Sequence, residues 1–175
     1  MKLLIGLDLG TTALKIALFD SRGTLLAVST QEYSLLTPKV NFVEEEPEVY
    51  WKAFCDGLTD LKKQYPIRAE DSIALAISAQ GETMFCMDKE GKSLRNAIVW
   101  MDNRAAEEAR EMDEHFGNET CYRVTGQVSF EPCWPGAKIL WRRKNEPEIF
   151  AKTDKFLLIE DYFIYRMTGK FATEG

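Results

Sequence analysis

The stretch Leu3-Leu4-Ile5-Gly6-Leu7-Asp8-Leu9-Gly10-Thr11-Thr12-Ala13-Leu14-Lys15-Ile16-Ala17-Leu18-Phe19-Asp20 is two apolar runs broken at Gly10-Thr11-Thr12. Its Leu, Ile and Thr content predicts a strand over 3–9, a tight turn, and a second strand over 13–20. A second break at Asp20-Ser21-Arg22-Gly23 predicts a third strand over 24–31, so the chain opens as a β-meander rather than as a strand–helix–strand unit. Gly10 lets the backbone turn tightly and approach a ligand, and Thr11 and Thr12 bring hydroxyls and amides to the same concavity, a combination that can cradle phosphate oxygens. Asp8 is a hard oxygen ligand suited to Mg2+, and Lys15 can carry a point charge toward a phosphate. The competing reading is a plain hairpin turn in which Asp8 accepts from loop amides and Lys15 faces solvent. Neither a Walker loop nor a G-x-G-x-x-G pattern occurs.

Outward from this opening, Glu44-Glu45-Glu46-Pro47 reads as a helix entry, with Pro47 near the first turn and negative charge placed to suit the helix dipole. Val49, Phe54, Leu58 and Leu61 continue it on a helical period over 48–64. The unbroken apolar run at 73–78 predicts a strand buried on both faces, and hence a sheet covered on two sides. Strand patterns follow at Thr83–Met87 and Ala97–Trp100, with a turn at Asp88-Lys89-Glu90-Gly91. A helix over 103–116 is predicted from Ala105, Ala109, Met112 and Phe116, stopped by Gly117. Further helices are expected at 136–145 and 160–168, with a short strand at 155–159. The class is α/β, a mixed sheet flanked by helices.

The 175 residues, 45% hydrophobic, can bury one core, so one globular domain is expected. A net charge of −6 from 28 acidic and 22 basic residues, mixed along the chain, supplies no positive field for a nucleic-acid backbone. No apolar run reaches the length of a membrane span, and Met1-Lys2 leads straight to Asp8, so no membrane role and a cytoplasmic location are expected. Cys55, Cys86, Cys121 and Cys133 are far apart and accompany a single histidine, His115, which predicts free thiols rather than a zinc site. Association with further copies of the chain is compatible with this composition. The ending Phe171–Gly175 has no stop-like composition, which reads as a chain cut there.

The run at 73–78 delivers Gln80-Gly81-Glu82-Thr83 at its C-terminal end, where α/β sheets place ligand crevices. Glu82 can accept from two hydroxyls, Gln80 can donate and accept, and Trp100 offers a flat apolar face, which together suit a polyol. Blander roles compete. Asp102 is placed to cap the helix at 103, Arg104 to pair with Glu108, and Glu82 to bond within its own turn. Trp100, Trp134 and Trp141 suit a core, His115 a helix C-terminus, and Arg142-Arg143-Lys144 a solvated helix face.

Asp8-Leu9-Gly10-Thr11-Thr12, followed by a second strand and the Gly23 hairpin, resembles the first phosphate motif of the actin-like ATPase superfamily. Three later segments resemble the FGGY carbohydrate kinases within it: Ser78-Ala79-Gln80-Gly81-Glu82-Thr83, Ala97–Arg104, and Pro132-Cys133-Trp134-Pro135-Gly136-Ala137-Lys138 with Trp141 following. They run in family order through nearly the whole chain. The resemblance implies a ribonuclease H-like fold and transfer of the ATP γ-phosphoryl, with Mg2+, to a sugar or polyol hydroxyl. It places Asp8, Gly10, Thr11, Thr12, Ala13 and Lys15 at the nucleotide phosphates, with Asp8 toward the metal. It places Gln80, Gly81, Glu82, Thr83, Trp100, Asp102, Arg104 and Cys133 on the sugar side. Gly81 stands where glycerol kinases have Arg and Cys133 where they have Tyr, which removes donors a triol needs. The Met-His pair usual in xylulokinases at this turn is also missing, so a pentulose or related sugar is expected without being fixed. The resemblance further implies a catalytic base and an adenosine-binding second domain beyond Gly175, and therefore an inactive isolated piece. Two alternatives share the opening loop: a non-sugar ATPase of the actin or chaperone type, and a non-catalytic interaction module.

Overall fold

In the computed structural model, which describes residues 2–68 and 70–173, the opening meander forms as the sequence predicts. Glu174 and Gly175, on which the reading of the chain's end partly rests, lie outside the described residues. Strand β1 (Lys2–Leu9) pairs antiparallel with β2 (Ala13–Asp20) from Leu3 opposite Asp20 to Leu9 opposite Leu14. Strand β3 (Leu25–Glu32) continues the sheet with a register shift at Leu18/Phe19. The chain then makes a two-residue strand, β4 (Glu44–Glu45), and helix α1 (Pro47–Gln64), and returns as β5 (Ser72–Ala79), parallel to β1. Next come β6 (Met84–Met87), β7 (Ala97–Ile98), α2 (Ala106–Phe116), α3 (Asn118–Thr125), α4 (Pro135–Asn145), α5 (Pro147–Lys152), β8 (Lys155–Leu158) and α6 (Ile159–Thr168).

The chain divides into two compact units: Met1–Leu35, Glu46–Gly81 and Ile159–Gly175 in the first, Leu36–Glu45 and Glu82–Leu158 in the second. The first contains the sheet β3-β2-β1-β5. Strand alternation puts Leu3, Ile5, Leu7, Leu9, Leu14, Ile16 and Leu18 on one face, all buried. Helix α1 lies against that face so closely that a Cβ on Gly57 would stand 2.8 Å from Ile16 Cγ2. Helix α6 joins it there, Phe163 packing against the rings of Trp51 and Phe54. Each such side chain withdrawn from water contributes roughly 1.5–3 kcal/mol.

The opposite face keeps Leu4 43% and Val28 47% exposed, so the expectation of a sheet covered on two sides is corrected for this unit. Strand β5 is likewise not buried on both faces. It is an edge strand with Ile73 at 45% exposure, since an apolar run records composition and not how many neighbours the strand acquires.

The second unit holds a small antiparallel sheet, β4-β7-β6-β8, with α2 to α5. Its core includes, among the described residues, Met84, Cys86 and Ile98 with Ile139 and Phe156, and Ala105, Ala109 and Ala137 with Met112, Phe130 and Trp141. Helix α2 starts at Ala106 with no side-chain cap, so Asp102 is not its N-cap. Arg104 pairs with Glu44 and Asp102, not with Glu108, which faces Lys144 at 3.6 Å. Arg142 is no solvated residue: it is 1% exposed and bonded to Glu146, which also takes Arg95. Gly117 ends α2 with φ 76°, as predicted, while α3 and α5, of 8 and 6 residues, are too short for a sustained helical period to mark them in the sequence. All four cysteines are free thiols. No helix among the described residues is long and apolar enough to cross a membrane.

Candidate functional site

In the first unit, the turn between β1 and β2 closes when Gly10 N–H donates to Ala13 O at 3.0 Å. A Cβ at Gly10 would meet that same oxygen at 2.7 Å, so close approach of backbone is what demands glycine there. The turn is braced from β3 and its continuation. Tyr33 N–H donates to Thr12 O at 3.0 Å, and the Tyr33 hydroxyl donates to Gly10 O at 2.5 Å. Thr12 is exposed at the tip, with Thr11 and Ala13 half-buried beside it. Register sets Asp8 directly opposite Lys15, with Ser78 beside Asp8 on β5 and Thr30 beside Lys15 on β3. Both charged side chains are exposed on the sheet face that the helices leave open. Asp8 does not bond to the loop amides among the described residues, which leaves its carboxylate available.

Gln80 also belongs to the first unit. Its N–H donates to Leu9 O at 2.9 Å, and its Nε2 donates to the Tyr50 hydroxyl at 3.4 Å. Tyr50 in turn meets Tyr33 edge-on, with ring centroids 5.1 Å apart. The amide oxygen Oε1 of Gln80 is buried with no hydrogen-bond partner among the described residues, an acceptor that carries a desolvation cost of about 1–3 kcal/mol until something donates to it. Gly81 has φ 69° and open space where a Cβ would stand.

In the second unit, Glu82 has φ 21°, rare for a residue with a side chain. Burial lifts its carboxyl above the usual range, and the nearby Lys138 charge pulls it back in part. Trp100 keeps 38% of its surface exposed, and its indole is a flat apolar face of the kind that suits the C–H side of a sugar. Cys133 is half-buried near both Lys138 and Glu82, and burial raises its thiol. Thr83, Asp102 and Arg104 lie beneath these groups. Thr83 is fully buried and its hydroxyl accepts from Trp100 N–H at 3.1 Å. Asp102, 0% exposed, accepts from Val43 N–H at 2.6 Å, from Arg104 N–H at 2.9 Å and from the Arg104 guanidinium. That guanidinium also reaches Glu44 at 2.8 Å and lies 3.9 Å from the Phe42 ring centroid. These three residues are held internally and shape the turns that carry the open ones.

Sequence reasoning passed over Lys138 and the Tyr33–Tyr50 pair. Lys138 is completely buried, and its Nζ donates to the carbonyls of Glu82, Val99 and Trp100. The one available signal was a lysine sandwiched between Ala137 and Ile139 in an otherwise apolar helix start.

The profile of the FGGY family of carbohydrate kinases, N-terminal domain, matches residues 3–175. The chain belongs to the FGGY family of carbohydrate kinases. This FGGY chain is 34% identical over 174 residues to the xylulose kinase of Bacillus subtilis strain 168, across 99% of the chain and 34% of that relative. Among solved structures it superposes on a gluconate kinase from Lactobacillus acidophilus with TM-score 0.90 and 31% identity, covering 98% of this chain and 34% of the other. The ligand-bound xylulose kinase of Lactobacillus acidophilus gives TM-score 0.90 and 31% identity, at 99% and 34% coverage. The FGGY chain therefore spans about a third of the length of the relatives it matches, and its α/β fold is theirs, that of the actin-like ATPases.

Proposed function

We propose that this chain supplies the sugar side and the first phosphate turn for ATP-dependent phosphorylation of a hydroxyl on a pentulose or related sugar. The observation that carries the reading is Glu82, a carboxylate held half out of water beside an exposed Trp100 and a buried lysine. A carboxylate in that state gains from two sugar hydroxyls what it has lost from water, while the ring covers a C–H face. Cys133 is a further contact within the second unit; Gln80, in the first unit, is assigned to the sugar by the family resemblance, and its buried amide oxygen has no donor among the described residues. Thr83, Asp102 and Arg104 serve as braces. The open space at Gly81 suits a sugar larger than glycerol.

On the nucleotide side, the amides of Thr11, Thr12 and Ala13 and the Lys15 ammonium would hold phosphate oxygens. Asp8, a hard oxygen donor exposed at the end of β1, would give an Mg2+ one carboxylate ligand, the others coming from phosphates and water. Such an ion would neutralise phosphate charge. No residue of this chain is assigned as the base that receives the hydroxyl proton. Work in the cytoplasm accords with ATP use and free thiols.

The test is amide-resolved NMR on the chain, titrated separately with Mg·ATP and with D-xylulose, D-gluconate and glycerol. The reading expects Mg·ATP to move the amides of Gly10–Ala13, with the effect lost in Asp8→Ala. It also expects D-xylulose or D-gluconate to move Glu82 and Trp100 more than glycerol does. Nucleotide binding without any sugar response would favour an ATPase of the actin or chaperone type, and silence toward all four ligands would favour an interaction module.

A further inference from the structure

Lys138 stands in the first turns of α4 with 0% exposure, beside Ala137 at 2%. An ammonium taken out of water costs several kcal/mol unless matched, and no carboxylate lies within ion-pair distance of this one among the described residues. Its Nζ donates instead to three main-chain oxygens: Glu82 at 3.0 Å, Val99 at 3.2 Å and Trp100 at 3.5 Å. An ammonium has three N–H donors, so the count is met. The acceptors sit on two separate turns. One carries Glu82 in its left-handed conformation directly after Gly81, also left-handed. Such a backbone costs about 1–3 kcal/mol and persists only where its surroundings hold it. The other turn presents Trp100, and a second tie between the two runs from Trp100 N–H to Thr83 Oγ1 at 3.1 Å.

We propose that Lys138 is a positioning residue of the sugar site, its ammonium locking the Glu82 turn to the Val99–Trp100 turn so that carboxylate and indole meet a polyol at fixed spacing. The inference rests on the sugar reading above. The groups facing the ammonium are Asp102 and Arg104 after the Trp100 turn, Cys133 before α4, and Glu82 itself. Burial brings Lys138 down to about 8, against the pull of Asp102, Cys133 and Glu82 and with a push from Arg104. Above that pH the neutral amine keeps two N–H donors for three carbonyls, and the lock loosens.

The test compares wild type with Lys138→Met, of similar length and no donors, and with Cys133→Ser. In Lys138→Met the Glu82 Cα and Hα chemical shifts should leave their left-handed positions, and D-xylulose affinity, read by NMR titration, should fall about tenfold. Wild-type affinity should fall as pH rises through about 8, while Lys138→Met stays flat over that range. Cys133→Ser should keep the wild-type pH step whatever it does to affinity itself, which assigns the step to the lysine and not to the thiol. The wild-type profile needs no variant, so it decides the matter even if Lys138→Met does not fold. Unmoved Glu82 shifts in Lys138→Met, a flat wild-type profile, or a step lost in Cys133→Ser would overturn the inference and leave the sugar reading standing. Wild type that binds neither D-xylulose nor D-gluconate would overturn the sugar reading and this inference with it.

Discussion

Glu82 is held half out of water in a backbone conformation that few side chains adopt, so it should weaken the fold it belongs to. Burial raises its carboxyl above the ordinary value of 4.5. An acid raised in the folded state binds its proton more tightly folded than unfolded, so stability falls as pH rises through the window between the two values. Well below 4.5 both states are protonated and the penalty is absent; it develops as pH rises above 4.5. Glu82→Gln removes the charge and keeps the shape. Its urea midpoint should exceed that of wild type at neutral pH and converge with it in acid below 4.5, while sugar binding is lost. Equal midpoints at neutral pH would mean that the carboxylate is well solvated, and the sugar reading would lose its main support.

The contact between α1 and the sheet sets two local preferences against each other at Gly57. Alanine there gains about 1 kcal/mol of helix propensity. Its Cβ would stand 2.8 Å from Ile16 Cγ2 and 3.7 Å from both Leu14 Cδ2 and Gln31 Cγ, and Ile16 is 0% exposed. Overpacking of that kind costs roughly 1–3 kcal/mol, so Gly57→Ala should lower the urea midpoint despite the better helix former. A higher midpoint would show that the helix rides away from the sheet without loss. This close approach is invisible in sequence, where Gly57 looks like a defect in a helical period. The meander was legible because alternation of period two and the Gly and Asp breaks are local signals, and α1 because Pro47 and a period near four mark it. Asp102 misled for the converse reason: its spacing suits a cap, yet Val43, 59 residues earlier, and the Arg104 guanidinium claim its oxygens. In the site, the Gly10 turn could be read from its residues. Lys138 could not, because its partners are carbonyls, which every residue possesses.

Over the whole chain, each unit has its own core, and the first one leaves its sheet with two unlike edges. The β3 edge is guarded: the side chain of Gln64 at the end of α1 donates to Val28 O at 2.8 Å and accepts from Val28 N–H at 3.3 Å, and Glu32 adds charge at the strand's end. The β5 edge, Ser72–Ala79, is as long and carries neither charge nor proline, and no comparable guard occurs among its described residues. A long, apolar, uncharged edge is a template for another strand. The chain should therefore associate as its concentration rises, through β5 rather than β3. Ala76 is exposed, with the half-buried Gly6 opposite it on β1, so a lysine there adds charge without displacing a packed side chain. Ala76→Lys should keep stability within about 0.5 kcal/mol of wild type and hold the chain monomeric in sedimentation equilibrium at concentrations where wild type gains mass. A control lysine at Val28, 47% exposed on the guarded strand, should leave association unchanged. Wild type that stays monomeric throughout, or association abolished equally by both lysines, would show that the β5 edge is not what brings chains together.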